Sequence, residues 1–215
     1  NMTTVDGLFA AGDASGASSH KFSSGSHAEG RFTGKAAIKY IVEKGVAPKV
    51  DAAVVADLKA KILAPLDRYQ EFCNITTDPA INPNYILWRS FMDRMQKIMD
   101  EYAGGVTAGF KTSKPNLERA MELFVYLQED AEKLAAEDIY SLERCWENMH
   151  RMAQAEAHVR TMLFRDETRW PGYYFRSDTP KMDDKNWHCF ANCRRDAATG
   201  EWEMFKKDVW TLPGA

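Results

Sequence analysis

The spacing of hydrophobic residues changes several times along the chain. Residues Leu8–Ala11 are an apolar run without alternation, which is typical of a strand buried in a parallel sheet. Ser26 and Glu29 then have the spacing of a capping box, in which two side chains bond backbone N–H groups at a helix start. The pattern therefore predicts a buried strand followed by a helix over residues 26–44, which Gly45 would close.

Helical spacing continues through the middle of the chain. Apolar residues recur at helical spacing from Lys49 onward, with Pro65 as the expected site of a kink. Strong amphipathic patterns predict further helices over residues 85–102, 115–135 and 136–164. The methionine-rich stripe of the first of these is typical of a hydrophobic core rather than of a cofactor site.

Beyond Arg165 the composition changes, because prolines and glycines interrupt the helical pattern and aromatic residues become frequent. Residues Trp187–Arg194 and Glu201–Val209 have the pattern of two strands, and the turn Asp196–Gly200 would join them into a hairpin. The predicted fold class is therefore α+β and mostly α, with a C-terminal β-hairpin.

Composition restricts the class of protein. The chain has 215 residues, of which 45% are hydrophobic and 27% charged, which is ordinary for a globular protein. Its formal net charge of −3 gives no electrostatic reason to expect nucleic acid or an anionic membrane as a partner. No apolar run reaches the length of a transmembrane helix, and 4 cysteines in a chain of this size do not indicate a disulfide framework. We expect a cytoplasmic location.

The turn after the first predicted strand is the main candidate for chemistry. Asp13 would lie at the carboxyl end of that strand, where open α/β sheets bind ligands. Gly12 would let the backbone leave the strand sharply, and the small residues that follow would let a large flat molecule approach the backbone. The N–H groups and the dipole of the helix start at Gly25 and Ser26 would favour a negatively charged ligand atom.

Two sequence blocks, in this order, resemble a known family. The first is LFAAGDASG with the later SSGSHAEGR, and the second is ETRWPGYYFRSDTP with DD and W after it. They are similar to the last flavin-contacting segment and to the C-terminal pattern of the fumarate reductase and succinate dehydrogenase flavoprotein superfamily. The resemblance implies that Asp13 holds the ribityl chain of FAD and that the helix start faces the flavin pyrimidine edge. The cofactor-binding residues that it implies are Gly12, Asp13, Ala14, Ser24, Gly25 and Ser26.

Within this superfamily, the string ASSHKFSSGSHAEGR is similar to the alpha-subunit family of dissimilatory adenylylsulfate (APS) reductases. This resemblance implies reversible two-electron reduction of APS to AMP and sulfite at FAD. His20 is the expected catalytic residue and would contact the substrate, as would Lys21 and Arg176. An iron–sulfur beta subunit, which would carry the 4Fe–4S clusters, is the implied partner. The sequence leaves open whether a membrane complex also donates electrons.

The resemblance also predicts a domain organisation. Residues 1–45 would be the C-terminal piece of an FAD-binding α/β domain, residues 46–165 a helical bundle, and residues 166–215 an aromatic-rich segment with the hairpin. No G-x-G-x-x-G motif precedes the first strand, although the FAD-binding fold of the superfamily begins with one. We therefore expect the sequence to be the C-terminal fragment of a longer protein, inactive alone, with most of the AMP pocket elsewhere.

Some of these residues have a structural alternative. His20 could support the flavin instead of contacting the substrate, although a histidine titrates near neutral pH and suits either role. Lys21 could simply be solvated. Arg169 and Arg176 could hold the C-terminal segment to the FAD-binding domain through Asp178, Asp183 and Asp184 instead of reaching a ligand.

Two rival functions remain open. A fumarate reductase, succinate dehydrogenase or aspartate oxidase would bind a dicarboxylate with a loop arginine, where this chain has Lys21. A noncatalytic helical module that docks the iron–sulfur subunit would explain residues 46–215 but not residues 7–31. Cys189 and Cys193 have the spacing of no common iron–sulfur site, so no metal is expected in this chain.

Overall fold

The computed structural model describes residues 1–15, 22–45, 47, 49–75, 82–169 and 174–209. Contacts between Cα atoms divide the chain into two compact units, Asn1–Ala56 and Asp57–Ala215. The division into three domains that the sequence suggests remains a prediction. In the ranges that the structure describes, no helix is long and apolar enough to cross a membrane.

The first unit contains one long helix and an N-terminal turn. Helix α1, Ser23–Lys44, ends where Gly45 adopts a left-handed conformation with φ of 65°, as the sequence predicts. Ahead of the helix, an antiparallel bridge pairs Met2 with Phe9. Residues Gly12–Ala14 then form one turn of 3-10 helix. Most of this unit is therefore a helix with a folded-back N-terminal segment.

The predicted buried strand at Leu8–Ala11 is wrong. Leu8 is 54% exposed, and the only pairing in this segment, among the residues described, is the bridge from Phe9 to Met2. A short apolar run becomes a buried strand only where neighbouring strands complete a sheet around it. The described residues of this unit supply no such neighbours.

Long helices form the body of the second unit. They are α2 Ala52–Phe72, which begins in the first unit, α3 Trp88–Tyr102, α4 Lys114–Ala131 and α5 Ile139–Phe164. The apolar stripes of α3, α4 and α5 pack on one another, because apolar residues at helical spacing share one face. The core that they form includes Phe91, Met95, Ile98, Leu117, Ala120, Phe124, Leu127, Leu142, Cys145, Val159 and Met162. The predicted helices are confirmed, with ends shifted by a few residues.

The segments that flank these helices form two pairs of very short parallel strands. Strand β1, Ile86–Leu87, pairs in parallel with β3, Leu134–Ala135. Strand β2, Lys111–Thr112, pairs in parallel with β4, Phe175–Arg176. The sequence predicted helix at β1 and over both residues of β3, because strands of this length show no alternation of their own.

The C-terminal segment is a hairpin next to α5. A short helix α6, Asp184–Trp187, precedes β5, Cys189–Arg195, which pairs antiparallel with β6, Trp202–Asp208. The rings of Trp187 and Phe164 meet edge to face with 5.4 Å between their centroids. The predicted hairpin is therefore confirmed, and aromatic contacts anchor its beginning to the end of α5.

Candidate functional site

The turn at Gly12–Ala14 packs closely against the first turn of α1. Gly12 has a φ of 65°, a left-handed conformation that other residues adopt only with strain. A Cβ atom on Gly12 would also lie 3.3 Å from the Oγ of Ser26. Both the backbone conformation and the space around it therefore favour glycine at this position.

Helix α1 begins without a capping bond from the side chain of its N-cap residue, Phe22. Its first intrahelical hydrogen bond runs from the N–H of Ser26 to the carbonyl of Phe22 at 3.0 Å. The N–H groups of Ser23, Ser24 and Gly25 therefore have no partner within the helix. Together with the helix dipole, these donors favour an electronegative ligand atom.

Glu29 does not cap its own helix, so the predicted capping box is wrong. Its side chain is buried, and its Oε2 accepts a hydrogen bond from the N–H of Gly12 at 2.7 Å. Ser26, the expected cap, lies inside the helix because the helix begins at Ser23. Sequence reasoning missed the bond from Glu29 to Gly12. The available signal was an acidic side chain among small residues at the start of a helix.

The predicted cofactor-binding residues fall in two segments of the first unit. These are the turn Gly12–Ala14 and the helix start Ser24–Ser26, which the contact between Gly12 and Ser26 brings together. Asp13 is exposed, so a ligand can reach its carboxylate. The catalytic candidate His20 and the substrate candidate Lys21 lie outside the described residues.

Arg176, which the sequence also suggested as a substrate ligand, is completely buried in the second unit. Its Nε and Nη2 donate to the carboxylate of Asp178 at 2.8 and 2.5 Å. Its Nη1 donates to the carbonyls of Met162 and Arg165 at 2.6 and 3.2 Å. These bonds hold β4 against the C-terminal end of α5. They confirm Asp178 as a partner of Arg176, but they lie within the second unit and do not test a tie to the FAD-binding segment. A role for this arginine in substrate binding remains a prediction.

A second buried charge lies on the segment between α5 and β4. Glu167 is fully buried and accepts hydrogen bonds from Nε of Arg169 at 2.6 Å, from the N–H of Asp183 at 2.8 Å and from Arg165. Burial alone would raise the pKa of Glu167, but the bonds from Arg169, Asp183 and Arg165 lower it. Arg169 also pairs with Asp184 at 2.9 Å. The cluster therefore joins the end of α5 to the start of α6.

Two further polar side chains of α5 have structural roles. Cys145 is buried, and burial raises the pKa of its thiol to about 11. Glu147 pairs with Arg144 at 2.5 Å. In the parts of the chain that the structure describes, no group of three or more His, Cys, Asp or Glu side chains could hold a metal ion.

Comparison with known proteins identifies the relatives of this sequence. The family described as "Fumarate reductase flavoprotein C-term" matches residues 92–212. The alpha subunit of adenylylsulfate reductase from Megalodesulfovibrio gigas is 43% identical over 212 residues, which are 98% of this chain and 32% of that protein.

Solved structures of reductases are also similar to this chain. A structure described as adenosine-5-phosphosulfate reductase in complex with sulfite, as a covalent adduct, is 50% identical with a TM-score of 0.92. The adenylylsulfate reductase of the hyperthermophile Archaeoglobus fulgidus gives the same identity of 50% and TM-score of 0.92. Both alignments cover 98% of this chain and 33% of the other. The chain thus spans about a third of the length of the relatives that it matches.

Proposed function

The chain belongs to the fumarate reductase flavoprotein family through its C-terminal region, and from this premise we propose that it forms part of the FAD-dependent alpha subunit of an adenylylsulfate reductase. The reaction is the reversible two-electron reduction of APS to AMP and sulfite. One observation carries the proposal. In a chain similar to these reductases over almost its whole length, a glycine turn with an exposed aspartate packs on a helix start whose N-cap side chain makes no capping bond.

The described residues fit FAD in two respects. Gly12 has no Cβ, so the backbone of the turn can approach both a large ligand and α1. The N–H groups of Ser23, Ser24 and Gly25 precede the first intrahelical bond and can donate to a ligand. When bound, FAD supplies the two-electron redox chemistry.

The residues of this chain would bind and orient the cofactor. Asp13 would accept hydrogen bonds from the ribityl hydroxyl groups, with Gly12 and Ala14 shaping the turn around it. The N–H groups of Ser24 and Gly25, which Ser26 directly follows, would donate to the pyrimidine edge of the flavin and stabilise negative charge there. Arg176 enters the proposal only as a structural residue, because its donors already bond within the second unit.

The substrate side of the site is assigned to His20 and Lys21, which lie between the turn and α1 in sequence. His20 donates a hydrogen bond to sulfite or to the sulfate group of APS, and its protonation can change near neutral pH. Lys21 attracts the anionic substrate. In the direction of reduction, the sulfur atom gains two electrons, the bond between sulfur and the bridging oxygen breaks, and AMP leaves with that oxygen.

The electrons come from a partner that holds redox centres of its own. The relative from M. gigas is named an alpha subunit, which supports a partner subunit for this chain as well. We assign that role to an iron–sulfur beta subunit, and we place the complex in the cytoplasm.

A titration with sulfite tests the proposed function. The polypeptide that carries this chain is expressed over the full length of its relatives, together with its partner subunit. Sulfite is expected to bleach the absorbance band of oxidised flavin, and electrons should reach ferricyanide only after AMP is added. No bleaching by sulfite, combined with reoxidation of the reduced flavin by fumarate, would assign the chain to the dicarboxylate branch instead.

A pair of histidine variants tests the role of His20. We expect His20→Ala to lower the rate of AMP-dependent sulfite oxidation by about 10²–10⁴-fold, which is the usual contribution of a positioned proton donor. His150→Ala is the matched control, because His150 lies in the second unit beside the ring of Trp146. Equal rates in the two variants would remove His20 from the site.

A further inference from the structure

The bond between Glu29 and Gly12 joins the two segments that the proposed function assigns to FAD. Glu29 lies on α1, one helical turn beyond Ser26, so both side chains are on the helix face that meets the glycine turn. The Oε2 of Glu29 accepts from the N–H of Gly12 at 2.7 Å. We propose that Glu29 is a positioning residue that fixes the Asp13 turn relative to the helix start, an inference that rests on the function proposed above.

The bonding of Gly12 leaves the turn little freedom. Its N–H donates to Glu29 at 2.7 Å, and its carbonyl accepts from the N–H of Ser15 at 2.9 Å. On the third side, the Oγ of Ser26 would lie 3.3 Å from a Cβ added at Gly12. Since Asp13 follows Gly12 directly, the position of its carboxylate depends on these contacts.

Apolar packing contributes less to this unit, although the rings of Phe9 and Tyr40 meet edge to face with 5.9 Å between their centroids. Among its described residues, Ser15 and Glu29 are the only two that are buried. Among the described residues, two other polar ties from the N-terminal segment to α1 are exposed: Asn1 to Thr33 at 2.9 Å and Asp6 to Lys44 at 2.7 Å. A third, from the Oγ1 of Thr33 to the carbonyl of Ala10, is partly buried but longer, at 3.4 Å. Exposed polar pairs contribute little, whereas a bond shielded from water holds its geometry more strongly. Glu29 is therefore the main tie at the turn.

The inference predicts a graded series of variants. Glu29→Ala leaves the N–H of Gly12 without its acceptor, and we expect FAD to bind about 10–100-fold more weakly. Glu29→Gln keeps an oxygen acceptor of nearly the same reach and should bind FAD within about threefold of wild type. Glu43→Ala removes an exposed acid from the other end of the same helix and should leave FAD binding unchanged.

The experiment uses the full-length subunit with its partner. Flavin is removed, and FAD is titrated back while its absorbance and visible circular dichroism are recorded. The reduction potential of the bound flavin is measured in each variant. We expect Glu29→Ala to change the dichroism and the potential, and Glu29→Gln to restore both. A purely structural role would lower the melting temperature of the apoprotein and leave both flavin signals unchanged.

Two outcomes would overturn the inference. One is wild-type FAD affinity and dichroism in Glu29→Ala, and the other is a Glu29→Gln variant as defective as Glu29→Ala. If Glu29→Ala does not fold, Glu29→Asp replaces it, because the shorter side chain keeps the charge but loses the reach to Gly12.

Amide hydrogen exchange separates this inference from the proposed function. Faster exchange of the peptide containing Gly12 in Glu29→Ala supports the positioning role even if the wild-type protein binds no FAD. Failure of the wild type to bind FAD would contradict only the proposed function. Unchanged exchange at Gly12 would contradict the role of Glu29.

Discussion

The contacts inside the first unit differ in kind from the contacts inside the second unit. In the second unit, Phe91 and Phe124 are at most 1% exposed and belong to a continuous hydrophobic core. In the first, Phe22 and Phe32 are 74% and 68% exposed, and the geometry of the turn depends on hydrogen bonds. This difference indicates that substitutions can change the stability of the helical core and the geometry of the ligand site separately. Substitutions in the core should change the stability of the second unit, and substitutions at the turn should change the ligand site.

The largest expected effect is the loss of a core aromatic. Phe124→Ala removes a ring that is 1% exposed between α4 and its neighbours, and the cavity should lower the free energy of unfolding by about 3–5 kcal/mol. Urea denaturation followed by far-ultraviolet circular dichroism measures the change. Val125→Ala is the control, since Val125 is 55% exposed, and its effect should stay within about 0.5 kcal/mol. Equal losses in the two variants would contradict the packing described for α4.

The next effect tests the ion pair between buried Arg176 and partly exposed Asp178 in the second unit. The hydrogen bond from Arg176 holds the pKa of Asp178 below its usual range. A carboxylate with a lowered folded pKa stabilises the protein above its unfolded pKa of about 4, and that stability is lost as the pH falls through the folded pKa. Asp178→Asn should therefore lower the free energy of unfolding by about 1.5–3 kcal/mol at pH 7 and by progressively less toward pH 2.

The pH series includes an exposed control. Urea denaturation of wild type, Asp178→Asn and Asp208→Asn is measured at intervals between about pH 7 and pH 2. Asp208 is exposed at the end of β6, so its variant should follow the wild-type curve. If the difference between wild type and Asp178→Asn were the same at every pH, the ion pair would not be its cause.

A smaller effect is expected at the turn of the first unit. Gly12→Ala places a side chain at a φ of 65° and a Cβ 3.3 Å from Ser26. The local cost is about 1–2 kcal/mol, so FAD occupancy of the full-length subunit should fall while the urea transition of the helical core stays unchanged. Gly34→Ala, inside α1 with nothing within 4 Å of the added Cβ, should retain FAD. A shift of the core transition by Gly12→Ala would show that the two regions are not independent.

The smallest expected effect is a difference in reactivity between two cysteines, which is measured on the unsubstituted protein. Burial raises the pKa of the Cys145 thiol to about 11, so at pH 8 about one molecule in a thousand carries the reactive thiolate there. Iodoacetamide should modify Cys73, which is half-buried, much sooner than Cys145. Mass spectrometry of digested protein gives both rates, and Cys145 should react fully only after denaturation. Similar rates at the two positions would mean that the core opens easily.

Sequence patterns predicted the helices well because apolar spacing records directly which face is buried. The stripe that includes Phe91, Met95 and Ile98 is one example, since its residues lie in the core as expected. The paired strands at Ile86 and Lys111 were not predictable, because two residues carry no alternation and the pairing partners are distant in sequence.

The candidate site was only partly predictable for a similar reason. The spacing of Ser26 and Glu29 is a local pattern, but the real partner of Glu29 is Gly12, on a separate segment. In the same way, Arg176 has the chemistry of an anion ligand, and only its three-dimensional surroundings show that Asp178 and two carbonyl groups already use its donors. Residue type indicates what a side chain can bind, whereas the fold determines what it does bind.

The parallel pairing of β2 with β4 has a consequence for the order of folding. All of α4 and α5 lie between these strands in sequence, so the contact closes a long loop and raises the contact order of the unit. The helix hairpin of α4 and α5 can form first from contacts closer in sequence. We expect the bonds of Arg176 to form after the rate-limiting step, so Arg176→Lys should speed unfolding and hardly change the refolding rate in stopped-flow measurements.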